Sequence, residues 1–343
     1  MRYEGIQCLR AVAVFLVMWV HLKFIADIGH NPFFASAAGA SGVDVFFVIS
    51  GFVISMSAER LRFDWRSFLT NRLCRIVPFY WLMSVPLAVY MFFFQHLKWQ
   101  SFLNSITFIP LMDFHHFSIP ANSFGWTLSF EFWFYTLFAI VMAIGGKRSI
   151  LVMAPLLAAL CAIVGFGYRG AWFMPSFLFH PLTLEFAAGI VLYQVRKLCG
   201  AKTMAVAVLL MLVFGYMTLQ TQILGWNMDI LDSPALGFKR ACIWGGFGAT
   251  LVTLAVSADN LQLLRWPRWA VSMGDCSYSM YLIQPYIMMI SHKAGVRSGA
   301  DFWISVPLFI TSVIVGGIVL SRRIEMPLTR WARLRVNSLR ARA

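Results

Sequence analysis

The sequence predicts an all-α polytopic membrane protein with about ten transmembrane helices and both termini in the cytoplasm. Three observations carry that expectation. Apolar residues make up 60% of the 343-residue chain, charged residues only 12%, and mean hydropathy is +0.73. Soluble domains run nearer half apolar and a quarter charged. Apolar runs approaching the ~20 residues needed to cross a bilayer recur at roughly 6–27, 41–58, 76–95, 125–144, 149–168, 181–195, 203–221, 239–257, 271–292 and 302–321. If the N-terminus is cytoplasmic and every run crosses, about three in four of the 28 Lys and Arg fall on the cytoplasmic side, as the positive-inside rule requires. The net charge of +14 is thereby assigned to topology, and nucleic acid is set aside as a partner.

The first run, "IQCLRAVAVFLVMWVHLKF", carries Arg10 near its inner end and His21 near its outer end. An Ala-Ser-Ala at 35–37 resembles a cleavage site but lies well past the apolar run, so the first helix is expected to be retained. Arg10 and His21 are eleven residues apart. At 100° per residue they return to within about 20° of one face, ~16 Å apart along the axis. The second run returns from outside with Asp44 three residues into "SGVDVFFVISGF". The following segment, "ERLRFDWRSFLTNRLCR" at 59–75, mixes arginines with Phe63, Trp65 and Phe68. It is expected to lie as a helix at the inner interface, against anionic lipid. It leads into "NRLCRIVPFYW", where Arg72 and Arg75 stand one turn apart and present two guanidinium forks on one face. Such a pair suits phosphate, or serves as a topological anchor.

The 96–124 segment is read as the outer loop. Its "DFHH" holds Asp113, His115 and His116, but no third ligand accompanies them and no metal is expected. The fourth run starts outside and places Glu131 about six residues into "GWTLSFEFWFY". The sixth run is the shortest. Lys239 and Arg240, at the outer start of the eighth, are expected to snorkel. The glycines of "GGFGAT" (Gly245, Gly246, Gly248) and Gly316–Gly317 read as close helix contacts, because a phosphate-binding loop would need a strand before it. The six cysteines are scattered and read as small hydrophobes. A basic tail, 322–343, completes a single membrane-embedded domain over 1–343, so any chemistry must occur inside the bundle or at its mouths.

Ionisable side chains at membrane depth are costly and mark functional sites by default. Counting 1.5 Å per residue puts His21, Asp44 and Glu131 at one level, roughly 5–10 Å below the outer surface. The expectation is an imidazole acting as general base, with two carboxylates orienting it and balancing the imidazolium. The competing expectation is a polar knot that only ties helices together.

Together, "LRAVAVFLVMWVH", "GVDVFFVISGF", "NRLCRIVPFYW", "WTLSFEFWFY", "GDCSYSMYLIQP" and the terminal "IEMPLTRW" resemble the acyltransferase-3 family of integral membrane acyltransferases. The likeness is to its short exopolysaccharide or O-antigen O-acetyltransferase type. The resemblance implies a bacterial cytoplasmic (inner) membrane protein that takes its acyl group from cytoplasmic acyl-CoA, acetyl-CoA first, with no metal. The acceptor is a hydroxyl of a polysaccharide or lipid-linked glycan on the other side, with membrane lipid around the bundle. Matched position by position, Arg10 and His21 correspond to the family's paired Arg and His, the latter being the base. Asp44 and Glu131 fall on acidic positions. Arg72 and Arg75, with Arg10 and Tyr80, correspond to donor binding. Two positions depart: Phe132 follows Glu131 where the family often has a second acid, and Gln284 stands where it often has a His. Direct transfer versus an acyl-histidine, and self-association, stay open. The rival reading is a proton-coupled transporter or flippase of a glycan or lipid-linked precursor. It calls for paired repeats, and none is visible.

Overall fold

Without water to satisfy backbone groups, a chain inside a bilayer must close its hydrogen bonds within helices or a sealed barrel; this chain takes the first course. A computed structural model of the protein describes residues 3–25, 37–94, 98–113, 116–167, 173–221, 229–293 and 302–340. Among these the only strands are a two-residue antiparallel pair, Met112–Asp113 with His116–Phe117. The principal helices are α1 Glu4–His21, α2 Ser41–Arg60, α3 Trp65–Phe94, α4 Trp99–Thr107, α5 Gly125–Gly145, α6 Ser149–Leu160 and α7 Thr183–Val195. They continue with α8 Ala201–Gln220, α9 Pro234–Arg240, α10 Gly246–Asn260, α11 Arg268–Asp275, α12 Ser277–Lys293, α13 Phe302–Leu320 and α14 Met326–Arg340.

Among the described residues, eight helical runs are long and apolar enough to cross a membrane. The expected spans map onto them with two differences. The 125–144 and 149–168 spans share the run Gly125–Gly165, which is broken at Gly146 (φ 52°), where a short turn lets α5 and α6 pack together. The 271–292 span is divided between α11 and α12, and the longer piece has only 17 residues. Three π-turns interrupt the helices, at Cys161–Gly165, Ala241–Gly245 and Ser321–Glu325. The second begins directly after Arg240 and the third ends on Glu325, which fits the tendency of such turns to gather at special positions.

The 59–75 segment differs from expectation. It is not a separate interfacial helix: α2 runs to Arg60, a tight turn with Arg62 and Phe63 at positive φ follows, and α3 begins at Trp65. Trp65 through Arg75 are simply the first turns of a 30-residue helix. At ~1.5 Å per residue this helix outreaches a ~30 Å hydrocarbon layer. The α13–α14 run, Trp303–Leu339, is likewise 37 residues long, and α14 packs along α3.

Polar and apolar faces are inverted where lipid would lie. Helix α4 buries Ser101, Asn104 and Ser105 while exposing Phe102, Leu103 and Ile106. Its inward polar face is satisfied by Ser118, the Ala121 amide and Ser129. Close packing uses small residues, as expected of membrane helices. Gly51 of α2 meets the Phe186 carbonyl of α7, and Gly189 meets the Val48 carbonyl in return. Gly245 packs on Glu185, Gly248 on Val45, and Gly317 on Met280, so the glycines of "GGFGAT" and the 316–317 pair act as contact surfaces. None of the six cysteines forms a disulfide, and all but Cys242 are buried.

Helix α1 lies at the centre, packed against α2, α10, α11 and α12. Its first turn is anchored by Asp259, which accepts from the Gly5 amide (3.0 Å) and the Trp266 indole (2.5 Å). A carboxylate there offsets the positive end of the helix dipole. This fixes the axis that carries both Arg10 and His21.

Candidate functional site

A cavity opens between α1, α2, α3, α5 and α12. Arg10, Ser50, Arg72, Arg75, Glu131, Tyr135, Tyr278 and Tyr281 contribute to its wall. Its empty space is about 850 Å³, part of it at an open mouth. Two helices therefore bring three guanidinium groups to one space, Arg10 from α1 and Arg72 and Arg75 about one turn apart on α3. Arg10 donates to Gln7 (3.2 Å). The Arg72 guanidinium lies over the rings of Phe68 and Tyr135, 5.7 and 5.8 Å from their centroids. Among the described residues, none of the three forms an ion pair with a carboxylate. Glu325 and Asp275 are within electrostatic range of Arg10, and Arg333 of α14 within range of Arg72. Glu325 itself accepts from Ser279 (2.6 Å).

Among the described residues, Glu131 is the one carboxylate on the cavity wall. It accepts from Ser50 (2.7 Å) and from the Tyr135 hydroxyl (2.9 Å). Both hydrogen bonds are of the charge-assisted kind.

The expected level of His21, Asp44 and Glu131 becomes a staircase. Gly39 packs against Leu16 and Val20 of α1, and Gly42 against Ala13 and Leu16, so α2 descends along α1 from its His21 end. Asp44 lies beyond Gly42 and thus inward of His21. Glu131 bonds Ser50, another six residues along α2, or ~9 Å deeper. The error came from counting residues from presumed helix starts, which ignores how the helices are offset against one another.

The partners change accordingly. Asp44, fully buried, takes both of its oxygens to Arg240, Nε and Nη2 each at 2.8 Å. Arg240 is 4% exposed and its guanidinium also stacks over Trp244, 4.8 Å from the ring centroid. It does not snorkel: an arginine beside a carboxylate at depth is cheaper paired than stretched toward water. Lys239, its neighbour, is exposed. Glu185 of α7, 1% exposed, lies against the same pair, its carboxyl beside that of Asp44. Asp44 is thus tied to a buried ionic cluster, and not to the imidazole as expected.

His21 instead meets Gln284 of α12, Nδ1 to Oε1 at 3.0 Å. Its ring stacks on Phe124 with centroids 4.7 Å apart and planes at 22°. Phe124 in turn packs on Tyr281, at 4.9 Å. Tyr281 lines the cavity, so these two packed rings connect His21, which is not itself on the cavity wall, to that wall. Tyr80, expected near the donor, is buried elsewhere: it packs on Phe108 at 5.0 Å and close to Gly125, off the cavity wall. Asp113 and His116 pair across the small hairpin, and His115 lies outside the described residues. Among the described residues no group of three or more His, Cys, Asp or Glu is arranged to hold a metal ion.

Sequence reasoning assigned no role to Ser50, Tyr135, Tyr278, Tyr281, Gln284 or Glu185, and gave Arg240 only a snorkelling one. A signal existed for some of them. Ser277, Tyr281 and Gln284 fall at i, i+4 and i+7 within an apolar helix, which puts them on one face. For Arg240 there was none, because its partner is 196 positions away.

The comparisons with known proteins agree with this architecture. A family profile described as an acyltransferase domain matches residues 3–322. Exopolysaccharide production protein ExoZ of Rhizobium meliloti (strain 1021) is 29% identical over 306 residues, covering 87% of this chain and 92% of that protein. YrhL of Bacillus subtilis (strain 168), provisionally named a peptidoglycan O-acetyltransferase, is 28% identical over 183 residues, 47% of this chain and 27% of that longer protein. No solved structure gives a significant match. The chain is an all-α polytopic membrane protein, and it belongs to the acyltransferase-3 family.

Proposed function

We propose that the protein transfers an acyl group, acetyl in the first instance, from cytoplasmic acyl-CoA to a hydroxyl of a glycan on the far side of the membrane. Exopolysaccharide or O-antigen is the class of acceptor, with His21 as general base, in a bacterial cytoplasmic membrane. The observation that carries the reading is the cavity wall with three arginines and one carboxylate already engaged. Guanidinium groups at depth without a carboxylate in direct contact are costly, and an anionic ligand relieves that cost. Arg72 and Arg75, forked and one turn apart, suit the phosphates of the nucleotide. Arg333 adds positive charge beside Arg72. The names of both relatives support a glycan acceptor, one concerning exopolysaccharide and the other peptidoglycan.

In this reading the pantetheine arm extends past Arg10 along α1 and passes beside the Tyr281 and Phe124 rings to bring the thioester to His21. The imidazole takes the proton of the acceptor hydroxyl as its oxygen attacks the thioester carbonyl. When the tetrahedral intermediate collapses, the C–S bond breaks and the imidazolium returns the proton to the departing thiolate. No net proton is gained or lost.

The test is to incubate the purified protein with acetyl-CoA labelled in the acetyl group and with de-O-acetylated exopolysaccharide or O-antigen. Label should appear in the glycan as an alkali-labile ester. Absence of label from every glycan, with acetyl-CoA intact, would remove the reading.

A further inference from the structure

We propose that Gln284 is a positioning residue that locks His21 in the tautomer protonated on Nδ1, making Nε2 the nitrogen that takes the acceptor's proton. This rests on the reading of His21 as the base. Gln284 is fully buried. Its Nε2 donates to the Met280 carbonyl at 3.2 Å, one turn back on α12. A carbonyl can only accept, so the amide nitrogen must face Met280 and the amide oxygen must face His21. That oxygen lies 3.0 Å from Nδ1. It too can only accept, so Nδ1 carries the proton, and a neutral imidazole then bears its lone pair on Nε2.

The ring plane is held as well as the tautomer. Phe124 stacks on the imidazole, and the Thr127 and Tyr281 hydroxyls lie 3.1 and 3.3 Å from the Phe124 carbonyl and 3.1 Å from each other. Their two protons are shared among these three contacts. Helices α5 and α12 therefore fix the imidazole from two sides. A base of this kind is usually oriented by a carboxylate, which also strengthens it. An amide gives the direction without placing another charge at a depth where charge is expensive. Asp44, expected in that role from the sequence, is committed to Arg240.

Two readouts test the proposal. The first needs no activity: nitrogen NMR of the intact protein with ¹⁵N-labelled histidine, in detergent, above the imidazole's titration. His21, identified by its loss in His21→Ala, should show a protonated Nδ1 and an unprotonated Nε2, and Gln284→Met should abolish that preference. The second is turnover per folded molecule. Gln284→Met, similar in volume but without an acceptor, should lose roughly tenfold or more, within the 10²–10⁴-fold that a general base is worth, at unchanged acetyl-CoA affinity. Gln284→Glu, which keeps an acceptor toward Nδ1, should recover part of that loss. A wild-type His21 protonated on Nε2, or a Gln284→Met protein with full turnover, overturns the proposal while leaving the base intact if His21→Ala is inactive. An active His21→Ala overturns the base reading, and the positioning role falls with it.

Discussion

Arg240 and His21 sit on neighbouring parts of the bundle, yet loss of their partners should produce opposite symptoms. Arg240 and Asp44 are both buried and doubly hydrogen-bonded to each other. Removing one partner strands the other charge, which costs about 3–5 kcal/mol, whereas replacing both by apolar groups of similar size is often neutral or better. Asp44→Asn should therefore lower the melting temperature in detergent markedly, and the pair Asp44→Leu with Arg240→Met should regain most of it. Equal instability in the single and double variants would show that the charges do more than pair. His21→Ala should behave differently. It removes a partly exposed ring near one end of α1, so stability should change little, while turnover per folded molecule falls by roughly 10²–10⁴-fold. Acyl-CoA should still bind, since Arg72 and Arg75 lie deeper along the cavity. A protein that melts early but turns over normally per folded molecule would reassign His21 to structure.

At the scale of elements, the first turns of α3 and the middle of α1 carry the arginines proposed to bind the anionic donor. Arg72→Ala and Arg75→Ala should each weaken acetyl-CoA binding by about 1.5–3 kcal/mol, or roughly 10- to 150-fold, the range for a charge-assisted hydrogen bond. Calorimetry on the detergent-solubilised protein reads this directly, and unchanged affinity in both variants would return the pair to a topological role. The helices themselves were legible because a bilayer leaves the backbone few options and apolar length is a strong local signal. Arg10, Arg72 and Arg75 were legible for the same reason: charge inside an apolar run stands out. What the sequence hid was the offset between helices, which set the true depths of Asp44 and Glu131. The pairing of Arg240 with Asp44 was hidden too, since nothing local links α9 to α2. Gln284 was visible only as a departure from its family's habit, and its contact with His21 emerged from the packing of α1 against α12.

For the whole molecule, sidedness matters most, because a donor on one face and an acceptor on the other is what separates this chemistry from a soluble transferase's. The charge bias predicts that the Trp65 end of α3 faces the cytoplasm. A cysteine introduced at Trp65, in a background lacking exposed Cys242, should resist a membrane-impermeant thiol reagent in intact cells and react once the membrane is opened. Reaction in intact cells would invert the arrangement. The most direct measurement follows from it. Protein reconstituted in sealed vesicles, with orientation scored through that same cysteine, is given labelled acetyl-CoA only on the face bearing Arg72 and Arg75, and de-O-acetylated glycan only on the opposite face. Label should cross to the glycan in the wild type and fail to do so in His21→Ala. Transfer seen only when donor and glycan share one face would contradict a cavity that carries the acyl group along α1 from the arginines to His21.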